Sequence, residues 1–186
     1  MILLSGIPIA QSTHDACQEL VTQSDDATRR VLRVSLDHGP GHCLDRWADS
    51  TYEAIDDLVV LAPNGTTRSA AATGSDASPR RPDVEHVTLD DPTDIPTLGS
   101  QLTDILYRWA EDGDSVHVCF DSVTALLNAH SVETVFQFLH VLRGHLHKLG
   151  ATSHFHVDST AHDDVTISKL LSLFDSVREI EDDPLQ

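Results

Sequence analysis

Apolar and polar positions follow two rhythms along this chain. Short runs rich in Val, Ile, Leu and Phe read as buried strands: Met1–Ser5, Arg30–Leu36, Asp57–Ala62, Val84–Leu89, Val116–Asp121, Thr152–Asp158 and Val177–Glu181. Between them, apolar residues recur every three or four positions and predict helices. Thr13–Gln23 carries Ala16, Cys17, Leu20 and Val21 on one stripe. Leu98–Ala110 carries Leu102, Ile105, Leu106 and Trp109, and Val132–Leu149 carries Val135, Phe138, Leu139, Leu142 and Leu146. Shorter helices are predicted at Leu44–Tyr52 and Val165–Phe174. Gly150 stands where a helix C-terminus needs a left-handed residue. The segment His38–His42, with Gly39, Pro40 and Gly41, reads as a turn.

Strands that alternate with helices predict a three-layer α/β fold, with a mostly parallel central sheet and helices on both faces. There is no internal repeat. The stretch 63–82 holds Gly, Ser, Thr, Ala and Pro with almost no large apolar side chain, which predicts a flexible loop. A polar tail follows at 182–186. The 186 residues fit a single domain that buries a core without needing a disulfide or metal.

Charge changes the picture. Asp and Glu total 30 against 12 Lys and Arg, a formal net charge of -18. Such a surface repels nucleic acid and anionic membranes, so neither is expected as a partner. The acids are 23 Asp and 7 Glu, and the bases 10 Arg and 2 Lys. Carboxylates hold water and cations, while lysine adds apolar stem that concentrated salt makes harder to dissolve. The balance therefore reads as adaptation to a salt-rich cytoplasm, where a Debye length of about 3 Å screens the self-repulsion. Met1–Ala10 lacks the basic start and apolar core of a signal peptide, and no apolar run reaches the ~20 residues of a membrane span. The expected location is the cytoplasm, with Cys17, Cys43 and Cys119 as reduced thiols. Cys119, in an apolar run, belongs to the core.

Parallel sheets bind ligands at the carboxyl ends of their strands. Gly6-Ile-Pro-Ile-Ala-Gln-Ser-Thr13 follows a strand and opens a helix, as a phosphate-binding loop of the form G-x-x-x-x-G-K-[ST] does. Gly6 and Thr13 fit. Gln11 stands in place of the second Gly, and Ser12 in place of the Lys. The Gly lets backbone N–H groups wrap the phosphates, and the Lys neutralises them. Without both, the helix N-terminus and Thr13 would hold a triphosphate alone, against a strongly acidic surface. Val116–Asp121 followed by Ser122 is an apolar strand ending in a carboxylate. Asp121 either carries Mg²⁺ at the strand tip or caps the turn. Asp37, with His38 beside it, ends the second strand, where a Glu would activate water in an ATPase of this kind.

Together these residues resemble the RecA/KaiC-like ATPase superfamily. The stretch from Val116 to Glu181 is similar to uncharacterised haloarchaeal KaiC-related proteins, some described as transducer-like. The resemblance implies a RecA-like, P-loop-type core and a cytosolic life. It implies a vestigial nucleotide site at Gly6, Gln11, Ser12, Thr13, Asp37, Asp121 and Ser122. No catalytic residue and no cofactor are expected, residual binding of ATP with Mg²⁺ being the open alternative. The function expected is regulation or signalling through an unidentified protein partner, and the family analogy extends to a homo-oligomer.

Twelve histidines invite a second reading. His154, His156 and Asp158 alternate along a strand and so share a face, and His162 follows. Two imidazoles and a carboxylate suit a divalent ion, giving a metal- or small-ligand-dependent enzyme or sensor. No cysteine lies near them in sequence, and the same histidines also fit a core position between sheet and helix. His140, His145 and His147 decorate the solvent side of the long helix. Arg80 and Arg81 form a basic pair in the loop. Ser122 and Ser153 lack the G-x-S-x-G elbow of a hydrolase.

Overall fold

The computed structural model describes residues 1–6, 11–23, 29–45, 47, 49–63, 82–111 and 115–180. The expected flexible loop at 63–82 lies almost wholly outside these residues, as do the tail at 182–186 and the Arg80–Arg81 pair.

Seven strands form one sheet: β1 (Ile2–Ser5), β2 (Arg29–Ser35), β3 (Asp57–Pro63), β4 (Asp83–Leu89), β5 (Ser115–Asp121), β6 (Thr152–Val157) and β7 (Ser176–Glu179). Their order across the sheet is β4-β3-β2-β5-β6-β1-β7, and every pairing is parallel. The inner strands are buried on both faces, which is why they read as near-continuous apolar runs.

Helices α1 (Gln11–Thr22), α2 (Pro40–Asp45) and α3 (Asp49–Glu53) cover one face. Helices α4 (Ile95–Ala110), α5 (Val123–Ala129), α6 (Val132–Leu149) and α7 (Asp164–Leu171) cover the other. The structure is thus the three-layer α/β fold that the pattern predicts.

Local chemistry fixes the helix ends. The Ser131 hydroxyl accepts the Thr134 amide to start α6, and Gly150, at φ 66°, ends it. Asp163 accepts the Thr166 amide to start α7. Leu98, Leu102, Ile105, Leu106 and Trp109 point α4 into the core on the predicted stripe.

Three element readings change. The helix expected at Leu44–Tyr52 is two shorter ones, and Trp47, 5% exposed, is buried between them. The turn expected at His38–His42 already contains the start of α2, with Pro40 as its first residue, where a missing N–H costs nothing. Helix α5 falls in a stretch with no predicted element. Ser122 starts it by accepting the Ala125 amide.

Register sorts the side chains by face. On the face under α4–α7, Val34, Phe120, Phe155 and Leu3 lie side by side across four strands. Phe120 stacks on Phe155 with ring centroids 5.2 Å apart, and Phe174 meets Phe155 edge-on at 5.6 Å. On the face under α1–α3, one residue earlier along β2, β5 and β6, the row reads Arg33, Cys119 and His154.

Candidate functional site

The carboxyl edge of the sheet gathers the predicted nucleotide residues in two groups. Gly6 ends β1, and its N–H donates to the Val157 carbonyl at 3.1 Å. Thr13 is buried in the first turn of α1, and its Oγ1 would lie 3.4 Å from a Cβ placed on Gly6. Gln11 is exposed and donates to the Asp15 carboxylate, while Ser12 is half-buried. Residues 7–10 of this segment lie outside the described residues. The second group stands at the ends of β2 and β5. The buried Ser122 hydroxyl donates to the exposed Asp37 carboxylate at 3.2 Å, and Asp121 pairs with Ser35 in the sheet register.

Strand β6 separates β1 from β5, so the two groups lie two strand spacings apart, roughly 10 Å. The edge offers hydroxyls and carboxylates. None of these seven side chains is a cation. Gly6 also has a packing role: a Cβ there would sit 2.8 Å from Ile180 Cβ and 3.2 Å from its carbonyl oxygen. The end of β7 closes on this glycine, with Ile180 N–H donating to Ser5 O at 2.8 Å.

The histidine strand departs from expectation. His154 and His156 do share a face, and both are buried. Asp158 and His162 do not join them. Strand β6 ends at Val157, and Asp158, though still extended at φ -85° and ψ 98°, lies beyond the sheet pairing as the cap of the next turn. The Asp158 carboxylate instead accepts the Thr160 amide at 2.9 Å and its hydroxyl at 2.7 Å, capping a short 3-10 turn at Ser159–Ala161. His162 follows that turn.

What His154 and His156 meet are two cysteines that sequence distance had separated from them. Cys17 reaches down from α1, and Cys119 projects from β5. One donor atom from each of Cys17, Cys119, His154 and His156 lies within 4.8 Å of the others, and all four residues are buried. Cys17 Sγ is 3.4 Å from Cys119 Sγ and 3.2 Å from His154 Nε2. Cys119 Sγ is 3.6 Å from His156 Nε2. All three cysteines are free thiols.

A polar shell surrounds this cluster. The Arg33 guanidinium lies 3.6 Å from Cys17 Sγ and 3.5 Å from Cys119 Sγ, and stacks 4.9 Å above the Trp47 ring. Behind His154, His117 Nε2 faces His154 Nδ1 at 2.7 Å, and His117 Nδ1 faces Thr152 Oγ1 at 2.8 Å. The Thr152 hydroxyl also lies 3.5 Å from the Val116 carbonyl. In the tautomer that carries its proton on Nδ1, His154 donates to His117 Nε2 and turns its Nε2 lone pair into the cluster.

The electrostatics agree. Burial, aided by His154, pushes the His117 pKa down to about 3, so this ring stays neutral and able to accept. Burial likewise lowers His154. The hydrogen bond from Cys119 and the neighbouring His154 hold Cys17 well below the usual thiol range despite burial, whereas burial and the Cys17 contact push Cys119 up. For His156, burial opposes protonation, but the hydrogen bond to Cys17 and the charge of Asp121 outweigh it and raise the pKa. Burial also opposes the Arg33 charge, and the surrounding thiols and Asp121 reverse that and hold it firmly protonated.

Sequence reasoning missed Cys17 and Cys119 as partners of the histidines. Two signals were present: His117–Cys119 and His154–His156 share the same strand parity, and Arg33 is a charge placed inside a strand with apolar neighbours on either side. Neither says which strands are adjacent.

The fold and this cluster define an α/β protein with an all-parallel sheet and a buried two-cysteine, two-histidine centre beneath its first helix. The chain belongs to a protein family of unknown function, DUF7504, which it matches over residues 1–180. No curated protein matches it. Among the described residues, no helix is long and apolar enough to cross a membrane.

Proposed function

We propose that this protein is a non-catalytic domain of the RecA/KaiC-like kind, acting through protein contacts in regulation or signalling in a salt-rich cytoplasm. The observation that carries the reading is the chemistry of the carboxyl edge. Gly6 follows β1 and Thr13 lies in the first turn of α1, while Asp37 stands at the end of β2 and Asp121 and Ser122 at the end of β5, but the place of the phosphate-binding lysine is held by Ser12. Hydrolysis needs positive charge on the transferred phosphoryl group, and this edge supplies carboxylates instead. The Asp37–Ser122 hydrogen bond further commits one of those carboxylates to holding the ends of β2 and β5 together. The excess of Asp over Glu and of Arg over Lys supports the salt-rich setting, and an odd set of cysteines without C-x-x-C spacing supports a reducing one.

The test is ATP turnover and MgATP binding by purified protein in molar KCl. We expect no turnover above the protein-free rate, with or without weak binding. Turnover that is lost in Asp121→Ala would overturn the reading. Light scattering in the same buffer reads the self-association that such a domain is expected to show.

A further inference from the structure

We propose that Cys17, Cys119, His154 and His156 form a closed, tetrahedral site for one zinc-class divalent cation. The site pins helix α1 to the sheet.

The donor set is the first argument. Two thiolates and two imidazoles, with no carboxylate, suit zinc and exclude calcium and magnesium, which take oxygen ligands. Geometry is the second. Metal–ligand bonds of about 2.3 Å to sulfur and 2.0–2.1 Å to nitrogen place tetrahedral donors about 3.3–3.8 Å apart. The Cys17–Cys119, Cys17–His154 and Cys119–His156 edges are 3.4, 3.2 and 3.6 Å, so the first two open by about 0.3–0.4 Å around an ion. A small inward adjustment of the remaining pairs, all within 4.8 Å, completes the tetrahedron.

The third argument is orientation. A ligating histidine has its far nitrogen held by a second group, which fixes the tautomer. His117 does this for His154, meeting its Nδ1 at 2.7 Å while Nε2 faces Cys17 Sγ at 3.2 Å. Arg33, beside both sulfurs, supplies N–H donors to thiolates.

Zinc with two thiolates and two neutral imidazoles forms a unit of no net charge, and loading releases the protons that the four ligands still carry. Four protein ligands leave no open position, so the ion is structural rather than catalytic. Cys17 is the one ligand from a helix, and it shares the buried face of α1 with Thr13, His14, Ala16 and Val21. The ion therefore connects the start of the chain, which carries the Gly6–Thr13 segment, to the two central strands.

The test uses untagged protein. Metal analysis of the purified chain should find one zinc per molecule. Wild-type protein unfolded with a chelator and refolded with Co²⁺ should show the intense visible bands of tetrahedral cobalt and a thiolate-to-metal charge-transfer band. His117→Ala, which removes only the supporting group, should weaken binding about 10–100-fold. Asp158→Asn combined with His162→Gln should leave stoichiometry unchanged. The proposal is overturned if refolded wild-type protein with native circular dichroism binds no cobalt or gives the pale octahedral spectrum. It is overturned equally if the Asp158/His162 double variant loses the metal, or if mass spectrometry finds a Cys17–Cys119 disulfide, since a bonded pair has no thiolates to offer.

Discussion

Two neighbouring rows of the same sheet are built on opposite principles. Val34, Phe120, Phe155 and Leu3 face α4–α7 and pack through ring stacking and aliphatic contact alone. Arg33, Cys119 and His154, one residue earlier on three of the same strands, face α1 with a guanidinium, a thiol and an imidazole. Both rows are buried: Phe120, Phe155, Cys119 and His154 are each 0% exposed. The first row gains stability in proportion to the area it takes from water. The second must offset the desolvation of each polar group with a partner, and Arg33 Nε, buried without a hydrogen bond, shows that the offset is incomplete. An apolar layer suffices to hold α4–α7. A polar layer of this density under α1 is costly for a fold that needs only packing, and this contrast is what directs attention to a ligand there.

The largest effect is expected in the apolar row. Phe155→Ala removes a ring that touches Phe120 and Phe174, and should cost about 3–5 kcal/mol of unfolding free energy in a denaturant titration. A loss below about 1 kcal/mol would mean that this face is not the dominant core. The next effect belongs to the polar row. Arg33→Lys keeps a positive charge but loses the Nη1 group that meets both sulfurs and the planar stack on Trp47. It should cost about 1–3 kcal/mol and speed alkylation of Cys17 in the native protein. If Arg33→Lys behaves as wild type in both measurements, the polar row is a loose collection and the contrast between the faces fails.

The two rows were unequally legible in the sequence. The apolar row follows from strands such as Val116–Asp121 and the stripe of Val132–Leu149, because a period of 2 or 3.6 records which face is buried. Parity also placed His154 and His156 together. It went wrong at Asp158, which lies just past the end of β6 and turns its carboxylate to the Thr160 amide instead of the sheet face. Cys17 and Cys119 stayed hidden for a different reason. They meet the histidines only because β5 lies beside β6 and α1 crosses above both, and strand order is a global property that no local period encodes. Gly6 shows the converse. Its place in a phosphate-loop pattern was visible, while the close approach of Ile180 across β1 was not.

The smallest effect is expected at the rim of the apolar layer, where the cost of a polar group is low. Asp163 is exposed and starts α7 by accepting the Thr166 amide at 2.8 Å, with the Thr166 hydroxyl at 3.1 Å. The backbone hydrogen bond, then the hydroxyl, holds its carboxyl below the ordinary range. A carboxyl whose pKa is lower folded than unfolded stabilises the fold fully above its unfolded value, about 3.9. That contribution is lost as pH falls through the folded value. Asp163→Asn retains an acceptor at the helix start but cannot titrate. At neutral pH, amide exchange at Thr166 should therefore be nearly the same in both proteins. Below pH ~4 the wild-type amide should exchange progressively faster than that of the variant, as protonation takes the acceptor away. Parallel exchange curves down to pH ~2 would show that the cap carries no linked proton. Because Asp163 lies on the α4–α7 side, the cluster thiols should be unaffected throughout, and a change in Cys17 alkylation would show that the two layers are coupled.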